Sequence, residues 1–111
     1  MGRLDEAAAT YRQLQAIDPR SPGASVGLGA VAMLSGDAVR ARQHFLATIE
    51  MDPPNVAARQ SLAILNEMDP ANPAEALRWC EEIQRLAPET PGNDECLRRN
   101  RSRLKVGSND R

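Results

Sequence analysis

The sequence has little aromatic content, little cysteine and almost no net charge. One Phe, one Tyr and one Trp stand among 111 residues rich in alanine, which favours helices over a β-sandwich. The two cysteines show no CxxC motif and no metal-ligand spacing. A net charge of −1 gives no global attraction to nucleic acid or to acidic membranes. We therefore expect one helical domain with no metal and no cofactor.

Long hydrophobic runs are also missing. No stretch approaches the roughly 18 apolar residues that a membrane span needs, and residues 1–10 contain no apolar signal-peptide core. We expect no membrane partner. Two unpatterned cysteines make the reducing cytoplasm the expected location.

Prolines recur at a regular interval along the chain. Pro19 and Pro53 are 34 residues apart, and Pro53 and Pro88 are 35 apart. The extra residue falls in the loop 68–72, where an insertion is cheap. Aligning these prolines superimposes one apolar helix face three times, at spacing i, i+4 and i+7. Its members are Ala7, Tyr11 and Leu14; Ala41, Phe45 and Thr48; and Ala76, Cys80 and Ile83.

A different helix precedes two of these faces, at 24–37 and 57–70. Each unit therefore reads as a first helix, a short turn, a second helix and a turn that contains proline. Ser21 and Asn72 each stand before a proline, in the order preferred for an N-cap and the first helical residue. Gly36 is suited to a left-handed cap at a helix end.

The unit resembles the tetratricopeptide repeat. Residues 22–55 keep the Leu28-Gly29 pair, Gly36-Asp37, Ala41 and Phe45, but Ser25 stands where that family prefers Trp. The resemblance implies an all-α right-handed superhelix of antiparallel helix pairs. We expect one domain over 1–107, followed by a disordered tail. Its parts are a half repeat (2–21), two repeats (22–55 and 56–90), a polar capping helix (91–107) that stops at Gly107, and the tail 108–111.

The resemblance also implies where a ligand binds. Such arrays bind proteins or peptides, without catalysis, on the concave surface formed by their first helices. The first helices of the two repeats carry no Lys, Arg or Asn at the positions that clamp a terminal carboxylate in one subclass, so we expect an apolar peptide ligand instead. The alternative is that some of these residues are core between helices. The candidate positions are Val26, Ala30, Met33, Gln60, Ile64, Glu67 and Arg99.

Two other functions stay open. The first segment has no preceding first helix, so Leu4, Tyr11 and Leu14 could mediate self-association. Alternatively, the chain is a docking or regulatory segment of a larger enzyme or assembly. A longer native sequence with catalytic motifs would favour that second alternative.

The remaining chemistry-bearing residues favour structural roles. The basic residues of 98–105 lack neighbouring aromatics, which favours a solvated cap over a nucleic-acid site. His44 has no nucleophile or acid in a motif with it. Trp79 is expected to pack in the groove between adjacent second helices, the alternative being a partly exposed anchor on the convex side. Cys80 is expected to be a buried thiol, and a bridge to Cys96 is left open, because spacing alone cannot establish one.

Overall fold

Helices joined by short turns make up the described chain. The structure is a computed structural model that describes residues 2–68 and 70–109, and within these ranges the chain forms six helices. The all-α prediction is confirmed. The helices are α1 (Arg3–Ile17), α2 (Pro22–Leu34), α3 (Ala38–Met51), α4 (Val56–Glu67), α5 (Pro73–Leu86) and α6 (Asn93–Asn109). In repeat order, α2, α4 and α6 are first helices, and α1, α3 and α5 are second helices.

Side-chain caps explain where several helices begin. The oxygen of Ser21 accepts a hydrogen bond of 3.2 Å from the backbone N–H three residues on. Asn55 does the same at 2.8 Å and Asn72 at 3.2 Å. These bonds satisfy N–H groups that have no partner within the helix. Gly36 has φ +83°, which confirms the left-handed turn expected between α2 and α3.

Helix ends were predicted less well than helix starts. α2 was expected to stop at Gly36 and α4 before Pro70, but they end at Leu34 and Glu67. The predicted stop at Gly107 is wrong, since α6 continues to Asn109. A glycine within a helix costs only about 1 kcal/mol relative to alanine and does not by itself end one. Of the expected tail, residues 110–111 lie outside the described residues.

The chain divides into two compact units, Met1–Ala58 and Arg59–Arg111. In the first unit, α2 packs against both α1 and α3. Phe45 is fully buried there, and a Cβ added to Gly29 would lie 2.5 Å from the Phe45 ring. The hydroxyl of Ser25 donates to the backbone oxygen of His44 at 2.9 Å. Small residues on α2 thus let α3 approach closely.

The second unit contains most of α4 together with α5 and α6. Leu62, Ile83 and Leu97 lie in its core. Trp79 is buried as well. Its expected packing between adjacent second helices stays a prediction. Arg59 forms an ion pair with Glu82 at 3.0 Å. The predicted repeat boundaries and the single domain stay predictions.

The described helices differ from membrane spans. None of them, within residues 2–68 and 70–109, is both long and apolar enough to cross a bilayer. The cytoplasmic location stays a prediction.

Candidate functional site

The face of α2 that its neighbours leave uncovered is apolar. Gly27 faces α1, and Ser25 and Gly29 face α3. Between these contacts, Val26 and Ala30 are only half-buried, and Met33 continues their line one turn further on. Their spacing of i, i+4 and i+7 makes one narrow strip along the helix. The strip offers van der Waals contact and exposes no charge of its own.

In the second unit, α4 presents a mixed surface. Gln60 and Glu67 are half-buried, while Ile64 between them is 51% exposed. Arg99 of α6 lies beside this surface and is itself exposed. The predicted residues on α4 and α6 are therefore brought together within this unit.

Glu67 and Arg99 form a two-pronged ion pair. Arg99 donates from Nε to one Glu67 oxygen at 2.7 Å and from its NH2 group to the other at 3.0 Å. The side-chain amide of Asn100 adds a third bond to Glu67, at 2.9 Å. This fork geometry is the strong arrangement of arginine with carboxylate. Glu67 therefore already has a basic partner within the chain.

The environment of this pair shifts the pKa values of both Glu67 and Arg99. Burial raises the pKa of the Glu67 carboxyl, but the bonds from Arg99 and Asn100 outweigh burial and lower it overall. The hydrogen bond to Glu67 in turn raises the pKa of Arg99. The pair is therefore fully charged at neutral pH.

Comparison with known protein families agrees with the all-α repeat fold. A family model described as the tetratricopeptide repeat matches residues 1–56. The chain belongs to the tetratricopeptide repeat family. No curated protein matches it. Tetratricopeptide repeats generally mediate protein–protein interactions and are typically non-catalytic modules, binding proteins or peptides.

The second helices can be compared position by position within this repeat register. Leu14 is 41% exposed on α1, whereas Thr48 on α3 and Ile83 on α5, at the same repeat position, are 0% and 1% exposed. Leu4 is half-buried and lines a groove, and the Tyr11 ring packs against Gly27. Of the three residues predicted for self-association, Leu14 is the most exposed.

A groove of about 570 Å³ lies between α1, α2 and α3. Asp5 and Arg12 of α1 face Arg40 and His44 of α3 across it. Burial, and then the charge of Arg40, lower the pKa of His44, so its imidazole is neutral at neutral pH. The charges in the groove are of both signs. The sequence did not predict this groove, because its walls come from three different helices, α1, α2 and α3.

The basic stretch of α6 faces solvent and is largely paired. Arg98 contacts Glu95 at 2.8 Å, and Arg101 lies 3.9 Å from Glu81. At the repeat positions where α2 carries Gly29 and Ala32 beneath α3, α6 carries Arg98 and Arg101. This polar surface fits the expected capping helix.

The two cysteines are bonded to each other, so the expected free thiol at Cys80 is wrong. Cys80 on α5 and Cys96 on α6 form a disulfide with their Cα atoms 6.1 Å apart. In repeat register, Cys80 takes the position of Tyr11, and Cys96 takes that of Gly27. We call Tyr11 against Gly27 the first joint, and the Cys80–Cys96 bond the last joint.

Proposed function

We propose that this chain is a non-catalytic module that binds a protein or peptide along its first helices. The observation that carries the proposal is the uncovered apolar strip of α2, formed by Val26, Ala30 and Met33. Each Å² of apolar surface buried there would contribute about 25 cal/mol before the costs of association. A strip of this kind suits an extended or helical peptide with apolar side chains.

The second unit, taken by itself, offers a ligand different chemistry on α4 and α6. Ile64 offers an apolar contact, and Gln60 offers both a donor and an acceptor. Glu67 and Arg99 are already paired with each other. A charged ligand group would have to replace one half of that pair, so we expect Ile64 to contribute more affinity than Glu67.

The strip on α2 is tested by matched charge insertions. Peptides selected against the immobilised chain from a displayed library supply a probe, whose Kd is measured by fluorescence anisotropy. Val26→Glu should raise the Kd at least tenfold. Val39→Glu makes the same change on α3, where Val39 is 71% exposed, and should leave the Kd unaltered. Equal effects of the two substitutions, with circular dichroism showing both variants folded, would rule out the strip.

The surface on α4 is tested in the same way. Ile64→Glu should weaken binding, whereas Leu86→Glu on α5 should not, because Leu86 is comparably exposed (42%) on a second helix. If Ile64→Glu binds like the wild type, the ligand is confined to the first unit.

Self-association through α1 is a second candidate function. The exposure of Leu14, at a position buried in α3 and α5, favours it. Light scattering at rising protein concentration should then show a dimer that Leu14→Glu abolishes and Leu86→Glu preserves. A monomer at millimolar concentration would eliminate this candidate.

A further inference from the structure

We propose that the Cys80–Cys96 disulfide is a reversible redox site that controls how firmly α6 is held against α5. The bond stands at the last joint, where the equivalent first joint holds its helices by packing alone. There, Gly27 leaves room for the Tyr11 ring, and a Cβ at that position would overlap it. Neither the aromatic ring nor the glycine is present at the last joint.

The packing of α6 shows why the bond matters. Among its described side chains (93–105), the buried ones are Asn93, Cys96, Leu97 and Asn100, and two of these four are amides. The Oδ1 atom of Asn100 is buried and has no hydrogen-bond partner among the described residues. Such a group opposes burial of the helix that carries it. Apart from Cys96, the buried apolar side chain between residues 93 and 105 is Leu97.

Polar contacts supply the remaining attachment. Asn93 donates to the backbone oxygen of Cys80 at 3.0 Å, and Arg99 and the amide nitrogen of Asn100 both bond to Glu67. Arg101 and Glu81 are both exposed, so their pair adds little. When the disulfide is broken, residues 93–105 of α6 are therefore held by a few polar contacts and by the buried Leu97. We expect it to open locally while the first unit keeps its structure.

The chemistry needs a thiol reductant and balances as a simple exchange. Two thiols RSH leave as RSSR, and their two electrons and two protons convert the disulfide into the Cys80 and Cys96 thiols. A thiolate attacks one sulfur and displaces the other, and a second thiolate then releases the mixed disulfide. Cys96 is 8% exposed and Cys80 fully buried, so attack falls on Cys96. Opening of α6 limits that step.

This arrangement makes the attachment of α6 depend on the redox state of its surroundings. Disulfides persist in oxidising compartments and are reduced by cytosolic thiols. Oxidation fixes α6 against α5 and keeps Arg99 on Glu67. Reduction frees α6 and leaves Glu67 without its partner.

Hydrogen exchange of the intact chain tests the proposal. Amides of residues 93–105 should exchange at least tenfold faster in dithiothreitol, once thiol titration reports two free thiols per chain. Amides of α2 and α3 should not change. If fully reduced protein keeps the oxidised protection of α6, the proposal is wrong. Two free thiols that persist in excess oxidised glutathione would also overturn it.

Two double variants distinguish the effect of the disulfide from the effect of packing between α5 and α6. Cys80→Tyr with Cys96→Gly installs the residues of the first joint, and its α6 amides should be insensitive to dithiothreitol. Cys80→Ala with Cys96→Ala should exchange rapidly with or without reductant. If the alanine variant protects α6 as well as the oxidised wild type does, the disulfide does not control attachment, whatever the tyrosine variant does.

Discussion

The first and last joints solve one packing problem in two ways. At the first joint, an aromatic ring on the second helix lies against a glycine on the next first helix. At the last joint, the same two positions carry cysteines that are covalently linked. The first solution depends on shape and withstands a change of redox state. The second needs neither an aromatic ring nor close backbone approach, but it lasts only while the sulfurs stay oxidised.

The largest predicted effect concerns the aromatic position of the register. Phe45→Ala should lower the free energy of unfolding by about 3–5 kcal/mol, because the ring is fully buried. Tyr11→Ala at the equivalent position should cost clearly less, since Tyr11 is only half-buried. Urea unfolding followed by circular dichroism measures both. Equal costs would show that the exposed fraction of the Tyr11 side chain does not reflect its contribution to stability.

The next largest effect concerns the glycines that face the Phe45 and Tyr11 rings, whose substitution by alanine should cost different amounts of stability. Gly29→Ala should cost about 1–3 kcal/mol, since its Cβ meets the immobile Phe45 ring. Gly27→Ala should cost less but still be destabilising, because its Cβ overlaps the half-buried Tyr11 ring, while alanine gains roughly 1 kcal/mol of helix propensity. Thermal unfolding of the two variants gives the comparison. A larger loss for Gly27→Ala would contradict the account of the first joint.

The smallest effect concerns the acid sensitivity of the last helix. Glu67→Gln should remove roughly 1 kcal/mol of stability at pH 7, where the wild-type carboxylate is bonded to Arg99 and Asn100. Since the pKa of Glu67 is lowered in the folded state, the unfolded chain takes up the proton first as the pH falls. The stabilisation is complete above the ordinary carboxyl pKa of about 4.3 and is lost as the pH falls through the lower folded value.

Urea unfolding of wild type and Glu67→Gln at pH 7 and pH 3 measures this loss. The gap between the two proteins should shrink at pH 3. A gap of the same size at both values would mean that the carboxylate charge is not what stabilises the contact.

Much of the fold could be predicted from spacing alone. The recurring prolines and the repeated apolar faces placed the second helices, and Ser21 and Asn72 cap helices as their positions suggested. These features are local, so a single chain reveals them. The end of α6 was missed because a glycine opposes a helix only weakly.

The candidate site was less accessible to sequence reasoning. Glu67 and Arg99 were assigned to one surface, but their pairing depends on side-chain reach between two first helices. The opposite charges of Glu67 and Arg99 on two first helices were the feature of the sequence from which this pairing could have been predicted. The disulfide was left open because it depends on how close α5 and α6 approach, and the repeat register that equates Cys96 with Gly27 was the clue.

The equivalence of the two joints is the central claim, and moving the cysteines tests it most directly. Tyr11→Cys with Gly27→Cys introduces a second pair of thiols at the first joint. After mild oxidation, the account predicts no free thiols and a cross-linked peptide joining positions 11 and 27, alongside the one joining Cys80 and Cys96. Two remaining free thiols, or cross-links between the new positions and Cys80 or Cys96, would contradict it.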